Sequence, residues 1–282
     1  MKSSRCPVRR PLPTLGMMVR VQPFYVRDGP GRYLSTPSTA GPWGPDAQHG
    51  GPPAALLARA IEQLPRGDDD RVIGRFTMEL LGPVPVGPLR VGASVARPGR
   101  SVEMCVATAY DEERDRACAT ATAWLFPRSE GGPDQEQRPL PHTPADGVEK
   151  EPPASWSRGY LDAIEWRWLR GMVSEAGPGT VWMRPLVELV EGEAMSPVQR
   201  LLACVDSASG VSANLDITEW TFLNTELTVH VLRPPAGDWV CVDAETTLGS
   251  GAVGVAASLV HDERGLVARS AQALLVARRS SS

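Results

Sequence analysis

Apolar positions along this chain fall into two matching series. In the first, the runs Val72–Leu81, Leu89–Ala96, Val102–Tyr110 and Cys118–Phe126 alternate apolar with polar residues or stay apolar throughout. In the second, Glu226–Leu232, Trp239–Thr247, Val253–His261 and Leu266–Val276 do the same. Runs of this length and period predict β-strands. One stretch of helical character precedes each series. The first, Pro52 to Leu64, opens with two prolines and continues Ala54-Ala55-Leu56-Leu57-Ala58. Proline suits a first helical turn, where its missing N–H costs nothing. The second, Ser196 to Cys204, places Ser196 and Gln199 as a capping box around Pro197.

Turn signals fall at corresponding places in the two series. Gly82-Pro83 with Val86-Gly87-Pro88 matches Arg233-Pro234-Pro235-Ala236-Gly237, and Asp111-Glu112-Glu113-Arg114 matches Asp262-Glu263-Arg264-Gly265. Each half therefore reads as one helix followed by four strands, joined mainly by short turns. Short connections imply antiparallel neighbours. The expected fold is α+β: two tandem units, each a long antiparallel sheet wrapped around one main helix. The last strand of each unit is small and apolar (Ala117 to Ala123; Ala268 to Ala277), which suits burial beneath the helix. The expected divisions are a disordered tail over 1–20, with Met17 or Met18 as an alternative start, an N-terminal unit over 21–127, a Pro-rich linker over 128–157 and a C-terminal unit over 158–282.

Composition narrows the function classes. The 282 residues are 42% hydrophobic and 22% charged, close to globular averages. A formal net charge of −4 argues against a nucleic-acid-binding body. There is neither a secretory apolar region nor a run of 18 apolar residues, so the chain reads as cytoplasmic, without a membrane span. The five cysteines are widely spaced and form no C-x-x-C, which suggests small buried hydrophobes rather than a metal site or a disulfide framework. Gly249-Ser250-Gly251-Ala252-Val253-Gly254 matches G-x-G-x-x-G literally. Only 28 residues follow it, too few for the βαβ units of a dinucleotide site, so it reads as a turn between strands. No G-x-S-x-G, H-E-x-x-H or P-loop motif is present.

Several local sequences carry a family resemblance. Gln48-His49-Gly50-Gly51-Pro52-Pro53-Ala54 resembles the helix start common among hotdog thioesterases. Leu223-Asn224-Thr225-Glu226-Leu227-Thr228-Val229-His230, then Arg233-Pro234-Pro235, Trp239, Glu245-Thr246-Thr247 and Leu266 to Gln272, are similar to the second half of acyl-CoA thioesterase II and its thioesterase-like relatives. The resemblance spans about residues 24–127 and 158–278. It implies a double hotdog fold, an acyl-CoA substrate, hydrolysis by an activated water, and no cofactor or metal. It also implies a catalytic acid, threonine and glutamine, which fall here on Glu226, Thr247 (with Thr246 as a one-residue slip) and Gln272. Self-association into a homo-oligomer is compatible with this reading.

The chemistry asks for a carboxylate to take the proton of a water, polar groups to orient it, and donors for the developing oxyanion. Unpaired amides at Gly50 and Gly51, opening a helix, are the expected donors, with His49 beside them as a substrate-orienting group. Each residue also has a plain structural reading: Glu226 as a solvated strand-end charge, Thr247 as a β-branched strand residue, His49 as a loop histidine bonded to backbone. Gln272, within Ala271-Gln272-Ala273-Leu274, needs a hydrogen-bond partner in either case. His142, His230 and His261 read as structural or exposed, and Trp166, Trp168, Trp182, Trp220 and Trp239 as packing. Arg97, Arg100 and Arg233 are candidates for CoA phosphates without assignment. Two other functions stay open: hydration of an enoyl thioester, which would draw on His49 with Asp46 as its nearest acid, and non-catalytic binding of an acyl group.

Overall fold

The computed structural model describes residues 22–66, 70–129, 142–216 and 219–279. The tail over 1–20 and part of the 128–157 segment thus lie outside the described residues. The first half contains β1 (Tyr25–Arg27), β2 (Arg32–Ser35), α1 (Gly51–Glu62), β3 (Arg71–Leu80), β4 (Pro88–Arg97), β5 (Glu103–Asp111) and β6 (Arg116–Pro127). The second contains α2 (Gly159–Ala163), β7 (Ile164–Arg170), β8 (Gly179–Pro185), α3 (Pro197–Val205), α4 (Ala208–Val211), β9 (Trp220–Asn224), β10 (Glu226–Val231), β11 (Val240–Leu248), β12 (Val253–Asp262) and β13 (Gly265–Arg278).

The strands form one sheet in the order β1-β2-β4-β5-β6-β3-β10-β13-β12-β11-β8-β7, with β9 paired to β13. This order is a palindrome: β3, β4, β5 and β6 of the first half correspond to β10, β11, β12 and β13 of the second. The halves join where β3 and β10 pair antiparallel, Thr77 opposite Thr228, their hydroxyls 3.1 Å apart. Every pair of named strands is antiparallel, as the double hotdog requires.

The sequence reading is corrected in two respects. Each half has two more strands ahead of its main helix, β1–β2 and β7–β8, and the second half has a further one, β9, between α4 and β10. β1 and β2 span only three and four residues, too short for a period to declare itself. In addition, the first long strand of each series pairs with the last rather than with the next: β3 with β6 and β10 with β13. The G-x-G-x-x-G stretch spans the connection from β11 into β12, as a turn reading requires.

α1 and α3 are the sheet's filling. α1 buries Leu56, Leu57 and Ile61, and α3 buries Leu201, Leu202 and Val205, all at 0–1% exposure. The capping box of α3 forms as its sequence dictates: the Ser196 hydroxyl accepts the Gln199 amide at 3.1 Å, and Gln199 Oε1 accepts the Ser196 amide at 3.3 Å. Glu62, at the end of α1, takes the Ser196 hydroxyl at 2.9 Å and Gln199 Nε2 at 2.6 Å. Burial raises its carboxyl above the usual range against those bonds. Cys105, Cys118, Cys204 and Cys241 are free and buried.

Candidate active site

α1 and α3 pack in opposite directions, so the start of α1 meets the end of α3 while Glu62 meets Ser196 at the other end. The approach at the first end is close. A Cβ on Gly51 would collide with the Ala203 carbonyl oxygen, and one on Gly50 would lie 2.5 Å from Asp206 Oδ2. Gly50 has φ −67°, an ordinary helical value. Glycine serves there for contact, not for conformational freedom.

Asp206, the residue that ends α3, is 4% exposed. Its Oδ1 accepts Asn224 Nδ2 at 2.9 Å and Gln272 Nε2 at 3.0 Å, and the Gly50 amide also donates to the carboxylate. Gln272 is fully buried. Its Nε2 also donates to the Asp206 carbonyl at 3.0 Å, and its Oε1 accepts the Ser209 amide at 3.0 Å. The polar amide within an apolar strand thus has its partners, and both of its donor hydrogens go to Asp206. Burial drives the Asp206 carboxyl up to about 6, against the bonds from Asn224, Gln272 and Gly50 and with a smaller push from the Glu226 charge.

His49 lies between this acid and Tyr160. Burial lowers its imidazole to about 3, so the ring is neutral at pH 7. Its Nδ1 accepts the Gly51 amide at 3.1 Å, which puts the ring proton on Nε2. The 3.5 Å approach of Nδ1 to Asp206 Oδ2 is therefore a contact between two acceptors, not an ion pair. The expectation of unpaired glycine amides is corrected here. Gly50 N–H is used by Asp206 and Gly51 N–H by His49, while Pro52 and Pro53 have no amide hydrogen. His49 Nε2–H is then the donor this turn has left to offer.

The structure does not gather the remaining expected residues around Gln272. Glu226 stands on β10 two residues from Thr228, which faces Ala271 on β13. Residues alternate faces along a strand, so Glu226 and Thr228 share the face opposite Gln272. The Glu226 carboxylate accepts the Ala273 amide at 2.8 Å and the Thr228 hydroxyl at 2.9 Å. It fills the break between β9 and β10, where the ladder lacks a main-chain acceptor. Thr247 is exposed, whereas Thr246 is 6% exposed, with its hydroxyl 2.8 Å from Ser212 Oγ. The one-residue slip thus decides which threonine faces inward, and it is Thr246. Asp46 is exposed. Arg233 is held in a two-pronged pair with Asp262 at 2.5 and 2.6 Å.

Asp206 and Tyr160 escaped the sequence reading, and Asn224, though within the run Leu223 to His230 that carries the resemblance, was given no role there. One signal was present: a carboxylate just after an apolar helix faces the negative end of the helix dipole, which calls for a reason. Among the described residues, no group of three or more His, Cys, Asp or Glu is placed to hold a metal ion.

Comparison with known proteins agrees with this architecture. The N-terminal domain of the acyl-CoA thioesterase family matches residues 39–126, and its C-terminal domain matches residues 133–276. A conserved hot-dog-fold protein of unknown function from Alicyclobacillus acidocaldarius superposes with a TM-score of 0.69 at 18% identity, covering 92% of this chain and 96% of that one. The acyl-CoA thioesterase II of Mycobacterium marinum superposes with a TM-score of 0.64 at 15% identity, covering 89% and 94%. No curated protein matches the chain in sequence. With both family domains in tandem on one double hotdog sheet, the chain belongs to the acyl-CoA thioesterase family and is a thioesterase.

Proposed function

We propose that this protein hydrolyses acyl-CoA thioesters with a water activated by Asp206. The convergence of Gln272, Asn224 and the Gly50 amide on one buried carboxylate beside a neutral histidine carries this reading. Oδ1 already holds two donors, so Oδ2 is the oxygen that takes the water's proton. The water oxygen bonds to the thioester carbonyl carbon, and the carbonyl oxygen gains the negative charge. His49 Nε2–H is the donor offered to that oxyanion, and its neutrality keeps the proton in place through the step. Collapse of the tetrahedral intermediate breaks the C–S bond. The leaving thiolate takes the proton from Asp206, which restores the carboxylate. Gln272 and Asn224 hold Oδ1 so that Oδ2 keeps its aim. In this reading Asp206 is the acid of the expected set, and Glu226 supports the strand beside it.

The test is thiol release from a panel of acyl-CoAs by the wild type and by Asp206→Asn. Loss of about 100-fold or more in kcat for Asp206→Asn is expected. Full activity of that variant would remove the proposal. The contact of His49 with Asp206 also keeps the hydration of an enoyl thioester as a second reading. Loss of enoyl absorbance without thiol release would select it.

A further inference from the structure

Tyr160 stands at this site although nothing in the expected catalytic set includes it. It is fully buried at the start of the second half, in α2. Its ring lies 3.7 Å from that of His49 with 1° between the planes. Its hydroxyl is 2.7 Å from the Ala203 carbonyl and 3.0 Å from Ser207 Oγ. A phenol has one proton and a carbonyl can only accept, so the proton goes to Ala203 and the Ser207 hydroxyl donates to the phenol oxygen. Ala203 and Ser207 flank Asp206, three residues before it and one after. The Ala203 carbonyl is among the four that a helix leaves without intrahelical partners in its last turn, and it is also the atom that abuts Gly51.

We propose that Tyr160 is the positioning residue of this site, holding the end of α3 and the His49 ring in one register. The inference rests on the reading of Asp206 as the base. Two physical effects act together. The phenol O–H takes up an orphan carbonyl at the negative end of α3, which eases the placement of a carboxylate there. The ring face fixes the plane of His49, and with it the direction of Nε2–H. The titratable groups facing Asp206 are His49 from the turn before α1, Tyr160 from α2 and Glu226 from β10. Of these, only the phenol touches both the acid's helix and the histidine.

The experiment compares wild type, Tyr160→Phe, Ser207→Ala and Asp206→Asn in acyl-CoA hydrolysis from pH 5 to 9, with Tm measured alongside. Tyr160→Phe keeps the ring on His49 but removes the hydroxyl. The expected result is a fall in plateau kcat of about 10-fold with KM changed less than about 3-fold, since the loss is one of aim rather than of binding. The acid limb of kcat/KM is expected to move upward by about half a pH unit, because the helix end becomes more negative around Asp206. Ser207→Ala moves both quantities in the same direction by less, and it carries the test if Tyr160→Phe does not fold. A lowered Tm with wild-type kcat and an unmoved acid limb would show mere packing and overturn the role. If Asp206→Asn keeps wild-type activity, the base assignment falls and takes this role with it. If Asp206→Asn is inactive while Tyr160→Phe and Ser207→Ala match wild type, only the role of Tyr160 falls.

Discussion

Gly51 lies directly against the carbonyl oxygen of Ala203, so the first turn of one half's helix seats on the last turn of the other's. That contact sets the distance between the Gly50 amide and Asp206. It also separates the effects of substituting two adjacent glycines. An added Cβ at Gly51 meets main chain, which cannot swing aside, so Gly51→Ala is expected to force α1 and α3 apart and to destabilise the protein by about 1–3 kcal/mol. An added Cβ at Gly50 meets the Asp206 carboxylate, a side chain that can turn away. Gly50→Ala is expected to keep more of the stability and to lose about 100-fold in kcat. Thermal unfolding and thiol release, measured on both variants, check this ordering.

The raised carboxyl of Asp206 sets the pH dependence. A general base works in its ionised form, so kcat/KM is expected to rise through about pH 6 and then level off. His49, lowered to about 3, adds no step in that range. A pH–rate profile with its acid limb near 4 would contradict the assignment.

Stability follows the same group with a definite sign. An acid whose folded value lies above its unfolded one, about 6 against 3.8, stabilises the fold at low pH and loses that contribution as pH rises through the folded value. Two pH units correspond to about 3 kcal/mol. The difference in unfolding free energy between wild type and Asp206→Asn is therefore expected to shift toward the variant between about pH 4 and 6, and to stay flat above about 7. Denaturant titrations at pH 4, 5, 6 and 8 measure it.

The two carboxylates near the break between β9 and β10 should respond differently. Glu226→Gln retains an oxygen able to accept the Ala273 amide, so activity is expected to stay within about 3-fold of wild type. Glu226→Ala leaves that amide unpaired, with a stability cost of about 1–3 kcal/mol and a modest loss of rate. A loss of catalysis by Glu226→Gln as large as that of Asp206→Asn would restore Glu226 as the base.

Gln272 gives both of its donor hydrogens to Asp206, so its replacement should register as a change in the acid's chemistry. Gln272→Glu puts a second carboxylate next to Oδ1, and like charges raise the energy of ionising Asp206. The acid limb is expected to move upward by about one unit, with kcat at pH 7 down about 10- to 100-fold and partly recovered at pH 9. An unmoved acid limb in this variant would detach Gln272 from Asp206.

The repeat, both main helices, the long strands of each half and the glycine-rich turn into β12 were legible in the sequence, because each depends on local signals: period, capping and turn residues. The capping box at Ser196 and Gln199 and the need of Gln272 for partners were readable for the same reason. The site was less so, since its pieces come from the turn before α1, the end of α3, the break before β10 and the middle of β13. A strand's two faces differ by one residue, so Thr246 and Thr247 look alike in the sequence although only Thr246 faces inward. Glu226 fell on a motif position, but pairing with β3 and β13 turns its side chain to the other face. Local order therefore settled what the modules are. The antiparallel docking of α1 on α3 decided which acid meets the glycines, because that contact joins residues that no local pattern relates.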